Sequence, residues 1–183
     1  GIYGVDPTRD MRRFLTELWN IGYRCVINFP TIGKLSGPIR KELEQVDLGF
    51  AKEVERLQLA AELGFVTLAY CYNPEEAEIL AKADIDIIVS HAGLTAGGDV
   101  GVKIAAPIDV AIRKTEEILS AAKKTKPDII TLCHGGPIVS PEDVQRVLKE
   151  TCAMGFVAAS SIERLPVEKG ISDTLKALKS VRK

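Results

Sequence analysis

The chain contains two histidines, and each stands where an apolar run meets a glycine. His91 lies in "VSHAG" and His134 in "LCHGG". Imidazole is the side chain most easily poised for acid/base chemistry near neutral pH. The alternative is a neutral imidazole whose ring nitrogens bind backbone groups and hold a loop. Because both histidines occupy equivalent places, we expect a catalytic role for at least one of them.

A bare backbone turn follows His134. Gly135 and Gly136 would let amide N–H groups approach an anion, and a helix N-terminus just beyond them favours negative charge. Ser160 and Ser161 follow the next apolar run, and barrel enzymes often bind phosphate in the loops after their last two strands. We therefore predict a phosphate or carboxylate site between these two segments. A simple tight turn is the alternative for the glycine pair.

Two further segments could line the same pocket. The loop 93–101 is rich in glycine and includes Gly97 and Gly98, so it is either a lid over a ligand or a flexible surface loop. Glu163 and Arg164 either form an ion pair that fixes the last loop, or Arg164 binds a carboxylate or phosphate in a bidentate manner.

Asp6 and Asn28 end two other apolar runs, where a carboxylate or an amide would face the same pocket. We take Asp6 as a third catalytic candidate and Asn28 as a substrate ligand, although both residue types also form turns. Asp6, His91 and His134 could together hold a metal, but residues on separate strands do not define a ligand set by spacing. We assign no metal ligand, leave the cofactor unknown, and do not favour a divalent metal.

Strand-like and helix-like segments alternate along the chain, which predicts an α/β fold. The strand-like runs are almost continuously apolar, as strands buried on both faces are; they cover 23–29, 65–71, 85–91, 128–134 and 155–161. Apolar residues with helical spacing predict helices between and around them, at 8–22, 50–64, 106–128, 140–151 and 166–183. Such alternation fits either a doubly wound open sheet or a (β/α)8 barrel.

The positions of the polar and glycine-rich loops favour the barrel. They follow strand after strand, as in barrel enzymes, whereas doubly wound proteins concentrate their sites at a switch point. No G-x-G-x-x-G segment stands in a strand-to-helix turn. A barrel needs about 250 residues and eight strands, but this chain has 183 residues. We predict one domain, 1–183, which forms the C-terminal three quarters of a TIM barrel without its first two βα units and most of its third strand.

Charge and composition exclude some classes of partner. With 24 basic and 25 acidic side chains the net charge is -1, which offers no basic surface for nucleic acid or an anionic membrane. No apolar run approaches the roughly 20 residues of a membrane span. The four cysteines lack C-x-x-C spacing, so they suggest neither a zinc ribbon nor a disulfide framework. We expect a cytoplasmic protein that binds no nucleic acid and no membrane.

Several long motifs together resemble one known family. They are "NFPT" (28–31), "SHAGLTAGG" (90–98), "LCHGGPI" (132–138) and "ASSIERLPVE" (159–168). In this order they resemble the TIM-barrel family called phosphoenolpyruvate hydrolase-like, which includes the C-terminal barrel domain of proteins similar to the tomato mosaic virus resistance protein. The resemblance runs along nearly the whole chain. It implies a (β/α)8 fold with two more βα units ahead of the position of Gly1, and a hydrolase-like ancestry.

These observations predict an enzyme-like TIM-barrel domain that acts on a small phosphorylated or carboxylate substrate at the C-terminal rim of the barrel. The reaction would be that of a hydrolase or lyase of a small phospho or keto acid. The alternative is a non-catalytic ligand-binding or protein-interaction domain related to virus-resistance proteins, and a third is a structural part of a larger assembly. We expect a small anionic ligand, and a homo-oligomer or a longer chain, because an open barrel exposes strand edges.

Overall fold

In a computed structural model that describes residues 1–182, the chain forms one sheet of five parallel strands. The strands are β1 (Cys25–Ile27), β2 (Val66–Cys71), β3 (Ile87–His91), β4 (Ile130–His134) and β5 (Gly155–Phe156). They lie in the order in which they occur along the chain. Ile2 forms a parallel bridge with Asn28, so the N-terminal segment continues the sheet beyond β1.

Helices connect the strands. They are α1 (Met11–Ile21), α2 (Gly37–Gln45), α3 (Phe50–Glu62), α4 (Pro74–Lys82), α5 (Ile108–Thr125), α6 (Pro141–Glu150), α7 (Ser160–Glu163) and α8 (Leu165–Ser180). A short 3₁₀-helix, η1 (Ile32–Lys34), follows β1. The α/β class predicted from the sequence is therefore confirmed.

The strand order identifies the sheet as an open segment of a barrel. Right-handed crossovers between strands in sequential order place every helix on the same face. On β2 that face carries Thr67, Ala69 and Cys71, all fully buried. The opposite face is partly open, because Val66 and Ile130 are exposed there. A doubly wound sheet would reverse its order at a switch point and would have helices on both faces.

Local sequence explains where the helices begin and end. Asp10 caps the N-terminus of α1 by accepting a hydrogen bond from the Arg13 amide, and Gly22 ends that helix in the left-handed conformation with φ 113°. Ser140 and Asp143 form a reciprocal capping box at the start of α6. These signals fix the ends of the helices to within a few residues of the predicted bounds.

The predicted elements need four corrections. The run 155–161 forms only the two-residue strand β5, because this edge strand pairs with β4 alone, and its last residues begin α7. The run 23–29 forms only the three-residue β1. Helices α2 and α4 were not predicted, although each has a proline in its first turn and Asn73 caps α4.

Core packing is uneven along the chain. Leu15, Leu57, Leu80 and Leu119 are completely buried between the helices and the sheet. Helix α8 has no buried residue, and four of its apolar side chains are exposed, namely Val167, Ile171, Leu175 and Leu178. Within residues 1–182, no helix combines the length and apolarity that crossing a membrane requires.

Candidate functional site

The two histidines end neighbouring strands and lie directly opposite each other. In the register of β3 and β4, His91 pairs with His134. Their ring centroids are 4.7 Å apart with the rings nearly perpendicular. Side chains directly opposite in a parallel pair share one face, so both imidazoles lie on the face away from the helices, at the carboxyl edge. Exposures of 3% and 8% show that both are buried.

Backbone partners assign different tautomers to the two imidazoles. The amide of Gly93 donates to Nδ1 of His91 at 3.0 Å, so the proton of this neutral ring is on Nε2. Nδ1 of His134 lies 2.7 Å from the carbonyl oxygen of Val157, which can only accept, so His134 donates from Nδ1. The free ring nitrogens are therefore an N–H donor on His91 and a lone pair on His134.

Both imidazoles are neutral near pH 7. Burial, the neighbouring His134 and the positive charge of Lys34 together lower the pKa of His91 to about 3. Burial also lowers the pKa of His134, and the Val157 carbonyl partly offsets that shift because it favours the protonated ring. The pair can thus donate and accept hydrogen bonds without carrying charge.

Aromatic side chains enclose the imidazole pair. The Tyr72 ring stacks on His91 at 4.7 Å with an interplanar angle of 22°. The edge of Tyr70 meets His91 at 4.8 Å, and its ring lies 5.0 Å from that of His134. Sequence reasoning did not single out these tyrosines. The available signal was their alternate spacing at the end of β2, which places both on the face of the histidines.

Asn28, predicted as a substrate ligand, joins β1 to β2. Its Oδ1 accepts from the Tyr70 amide at 2.7 Å, and its Nδ2 donates to the Tyr70 carbonyl at 3.2 Å and to Oε2 of Glu53 at 3.0 Å. Since both ends of the amide are engaged, Asn28 positions the strand that carries Tyr70 and Tyr72.

Two buried carboxylates on the helices hold the loop after β1. Oε1 of Glu53 accepts from the Ile32 amide, and Oε1 of Glu76 pairs with Arg40 at 3.2 Å. Oε2 of Glu76 accepts from the Tyr72 amide at 2.9 Å. Burial raises the pKa of Glu53 and of Glu76, and these hydrogen bonds offset part of the rise. Such carboxylates anchor backbone rather than face solvent.

The predicted glycine turn brings two loops into close contact. Gly135 and Gly136 have φ of 74° and 58°, and a Cβ on either would overlap a carbonyl oxygen, of Gly93 or of Ala92. The Gly136 amide donates to the Gly93 carbonyl at 2.7 Å. Glycine is therefore required here for the packing of the loop after β4 on the loop after β3.

The loop after β3 is tied to the last helix. Arg164 donates to the Gly97 carbonyl at 3.0 Å, and Glu168 accepts from the Asp99 amide at 2.8 Å. The ion pair of Arg164 is with Glu168, at 3.0 Å, and not with Glu163, which is exposed. The side chain four residues on lies on the same helical face, which explains the correction. Gly97 and Gly98 adopt φ of 81° and 73° in this loop.

The two predicted serines begin α7, and Ser161 faces a cavity that neither histidine lines. It lines a cavity of about 800 Å³ together with Val144, Leu148 and Phe156. The Ser161 hydroxyl is buried and has no hydrogen-bond partner within residues 1–182. Ser160 is half-buried, and its carbonyl accepts from the Arg164 amide.

Asp6 is not brought to the imidazole pair. Its carboxylate accepts from the amide and hydroxyl of Thr8 and pairs with Arg9 at 3.2 Å, and these contacts lower the pKa of Asp6.

Within residues 1–182, no cluster of three or more His, Cys, Asp or Glu side chains could hold a metal. The Cys133 thiol is completely buried, and burial raises its pKa to about 11, so it stays protonated.

The open barrel segment with a buried polar pair at its carboxyl edge defines an α/β barrel domain of the enzyme type. Residues 1–181 match the sequence model of the family described as Phosphoenolpyruvate hydrolase-like. The chain belongs to this family. The family assignment made from the sequence motifs is thereby confirmed.

Two curated relatives from Solanum lycopersicum are each 43% identical over 182 residues, the ToMV susceptible protein tm-1(GCR26) and the ToMV resistance protein Tm-1(GCR237). Each match covers 99% of this chain and 24% of the relative, so the chain spans about a quarter of their length. Among solved structures, the N-acetylmannosamine-6-phosphate 2-epimerase from Clostridium perfringens is 17% identical with a TM-score of 0.48. That match covers 90% of this chain and 60% of the epimerase chain.

Proposed function

We propose that this barrel domain binds a small phosphorylated or carboxylate substrate at the carboxyl edge of the sheet and cleaves it as a hydrolase or lyase. One observation carries the proposal, namely the pair of buried neutral imidazoles in complementary tautomers. His91 offers an Nε2–H donor and His134 an Nε2 lone pair, with ring centroids 4.7 Å apart. Donor and acceptor side by side suit a reaction in which one atom loses a proton while a nearby oxygen gains charge.

The tautomers assign the roles. His134 is the general base, because its free nitrogen accepts the proton of water or of a carbon acid. The Val157 carbonyl then stabilises the imidazolium that forms, since it accepts from Nδ1 at 2.7 Å. His91 stabilises the developing oxyanion as a neutral donor, since its very low pKa excludes an imidazolium at neutral pH.

The remaining predicted residues take supporting roles in this proposal. Gly135 and Gly136 allow the loop after β4 to pack closely on the loop after β3, which also contains Gly97 and Gly98. Asp6 has its own turn partners and is not required as a third catalytic group.

The test is turnover of a panel of phosphorylated and keto acids by the full chain. His134→Asn keeps a donor for the Val157 carbonyl but removes the base, so turnover should fall about 100-fold or more. Lys41→Ala, on the exposed surface of α2, is the control and should have no effect. Unchanged turnover in His134→Asn would contradict the assigned base.

A second proposal is a non-catalytic ligand-binding or protein-interaction domain. The 43% identity to a protein named for ToMV resistance supports it. In that case members of the panel would raise the melting temperature without being turned over. For either function we propose a cytoplasmic protein that acts as a homo-oligomer or within a longer chain, without nucleic acid or membrane partners.

A further inference from the structure

The turn after β1 ends in a lysine that the predicted site does not use. Lys34 is the last residue of η1 and is exposed at the carboxyl edge. The other cations in the loops at this edge are engaged: Arg9 with Asp6, Lys103 with the Gly98 and Asp99 carbonyls, and Arg164 with Glu168. Within residues 1–182, Lys34 has neither an ion pair nor a side-chain hydrogen bond.

Backbone packing places the residue before this lysine against the ring that stacks on His91. A Cβ on Gly33 would lie 3.2 Å from the ring carbon Cδ2 of Tyr72, so the turn rests on that ring. The same ring stacks on His91 at 4.7 Å. Lys34 is the next residue along the chain, and its positive charge contributes to the lowered pKa of His91.

Hydrogen bonds with Glu53 and Arg40 fix the turn that carries Lys34. The Thr31 hydroxyl accepts from the Gly33 amide at 3.0 Å and donates to Oε2 of Glu53 at 2.7 Å. Arg40 donates to the Ile32 carbonyl at 2.9 Å, while the Ile32 amide donates to Glu53. Glu53 itself is 1% exposed. A turn fixed in this way needs little ordering when a ligand binds.

Two neutral imidazoles cannot neutralise an anionic substrate, so the proposed reaction needs a cation beside them. We infer that Lys34 binds the phosphate or carboxylate group of the substrate over the imidazole pair. The loop after β1 then supplies the positive charge that binds the anion. In the loops after β4, the Gly136 amide and the N-terminus of α6 already have partners, the Gly93 carbonyl and Asp143. This inference rests on the proposed function and names the specificity residue of the same site.

The experiment follows the imidazole Hε1 resonances of the full chain by NMR while phosphoenolpyruvate, inorganic phosphate or oxalate is added. Lys34→Met should weaken binding of the anion roughly 10- to 100-fold, the amount expected for a lost charge-assisted hydrogen bond. Lys34→Arg should restore most of the affinity, and Lys41→Met on α2 should bind as the unchanged protein does. Without any ligand, Lys34→Met should raise the pKa of His91, because a nearby positive charge is gone.

Two different failures can be told apart. If an anion shifts the imidazole resonances equally well in Lys34→Met and the unchanged protein, Lys34 is not the anion ligand and the proposed function still stands. If none of the three anions shifts either resonance in the unchanged protein, the proposal of an anionic substrate and the proposed role of Lys34 are both wrong. An unaltered pKa of His91 in ligand-free Lys34→Met would also overturn the placement of the ammonium group.

Discussion

The two sides of the imidazole pair are built very differently. His91 ends β3, a five-residue strand with a partner on each side, and α5 behind it buries seven residues. His134 donates its Nδ1 hydrogen bond to the carbonyl of Val157, which follows the two-residue edge strand β5. Beyond that strand, α8 buries no residue. The donor is thus held by the packed region, whereas the orientation of the base depends on the lightly packed one.

This difference separates a preorganised part of the site from an adjustable part. Catalytic groups act best when packing and hydrogen bonds fix them before the substrate arrives. On the packed side, Asn28, Glu53 and Glu76 supply that fixation. On the other side, contacts of Arg164 and Glu168 with the loop after β3 hold the start of α8. Regions with few buried contacts open most readily, and sites that must admit a ligand use them.

The largest expected contrast is in core truncation. Leu119→Ala in α5 removes a completely buried side chain and should lower the free energy of unfolding by about 2–5 kcal/mol. Leu175→Ala in exposed α8 should change it by less than about 0.5 kcal/mol. Urea unfolding of both variants measures the difference. Similar losses would mean that α8 is packed as firmly as α5 and would remove the contrast between the two regions.

Asn28→Ala tests whether the hydrogen bonds of Asn28 stabilise the packed region. It removes the side-chain partner of the Tyr70 amide and carbonyl and one of the donors to Glu53, which should cost about 1–3 kcal/mol of unfolding free energy. Asn20→Ala, at an exposed position of α1, is the matched control and should be close to neutral. Equal stability of the two variants would show that the amide bridge between β1 and β2 contributes nothing.

Acid should destabilise the protein through His91. Its pKa is about 3 in the folded state and 6.5 unperturbed, so between these values the unfolded chain binds the proton first. Protonation of the unfolded chain has little effect above about pH 6.5. As the pH drops further it lowers the free energy of unfolding, by about 2 kcal/mol at pH 5 relative to pH 8. His91→Asn keeps an acceptor for the Gly93 amide but does not titrate. A pH profile of stability that stays as steep in this variant would contradict the shift.

The smallest expected effect on stability is in the lightly packed region around α8. Arg164→Ala removes contacts to Gly97 and Glu168, and should change the free energy of unfolding by no more than about 1 kcal/mol. Hydrogen exchange of the loop amides near Gly97 should nevertheless become faster, because local opening costs less. Lys169→Ala, exposed on α8, is the control. Unchanged exchange in Arg164→Ala would show that other contacts hold this loop.

Much of the fold followed from local sequence, because apolar runs, caps and glycines encode strands and helix ends directly. The adjacency of His91 and His134 could also be predicted, since each ends a strand of a parallel sheet. Glu53 and Glu76 could not be predicted as buried, because a carboxylate on an amphipathic helix looks like surface until the loop that donates to it is in place. The partner of Arg164 was missed for a related reason, since several acids lie within its reach along the chain.

The complementary tautomers of the two imidazoles are the central claim, and long-range ¹H–¹⁵N correlation spectra of the full chain at pH 7 test it most directly. The spectra should show His91 neutral with its proton on Nε2 and His134 neutral with its proton on Nδ1. An imidazolium at either position, or the same tautomer at both, would contradict the assignment of His91 as donor and His134 as base.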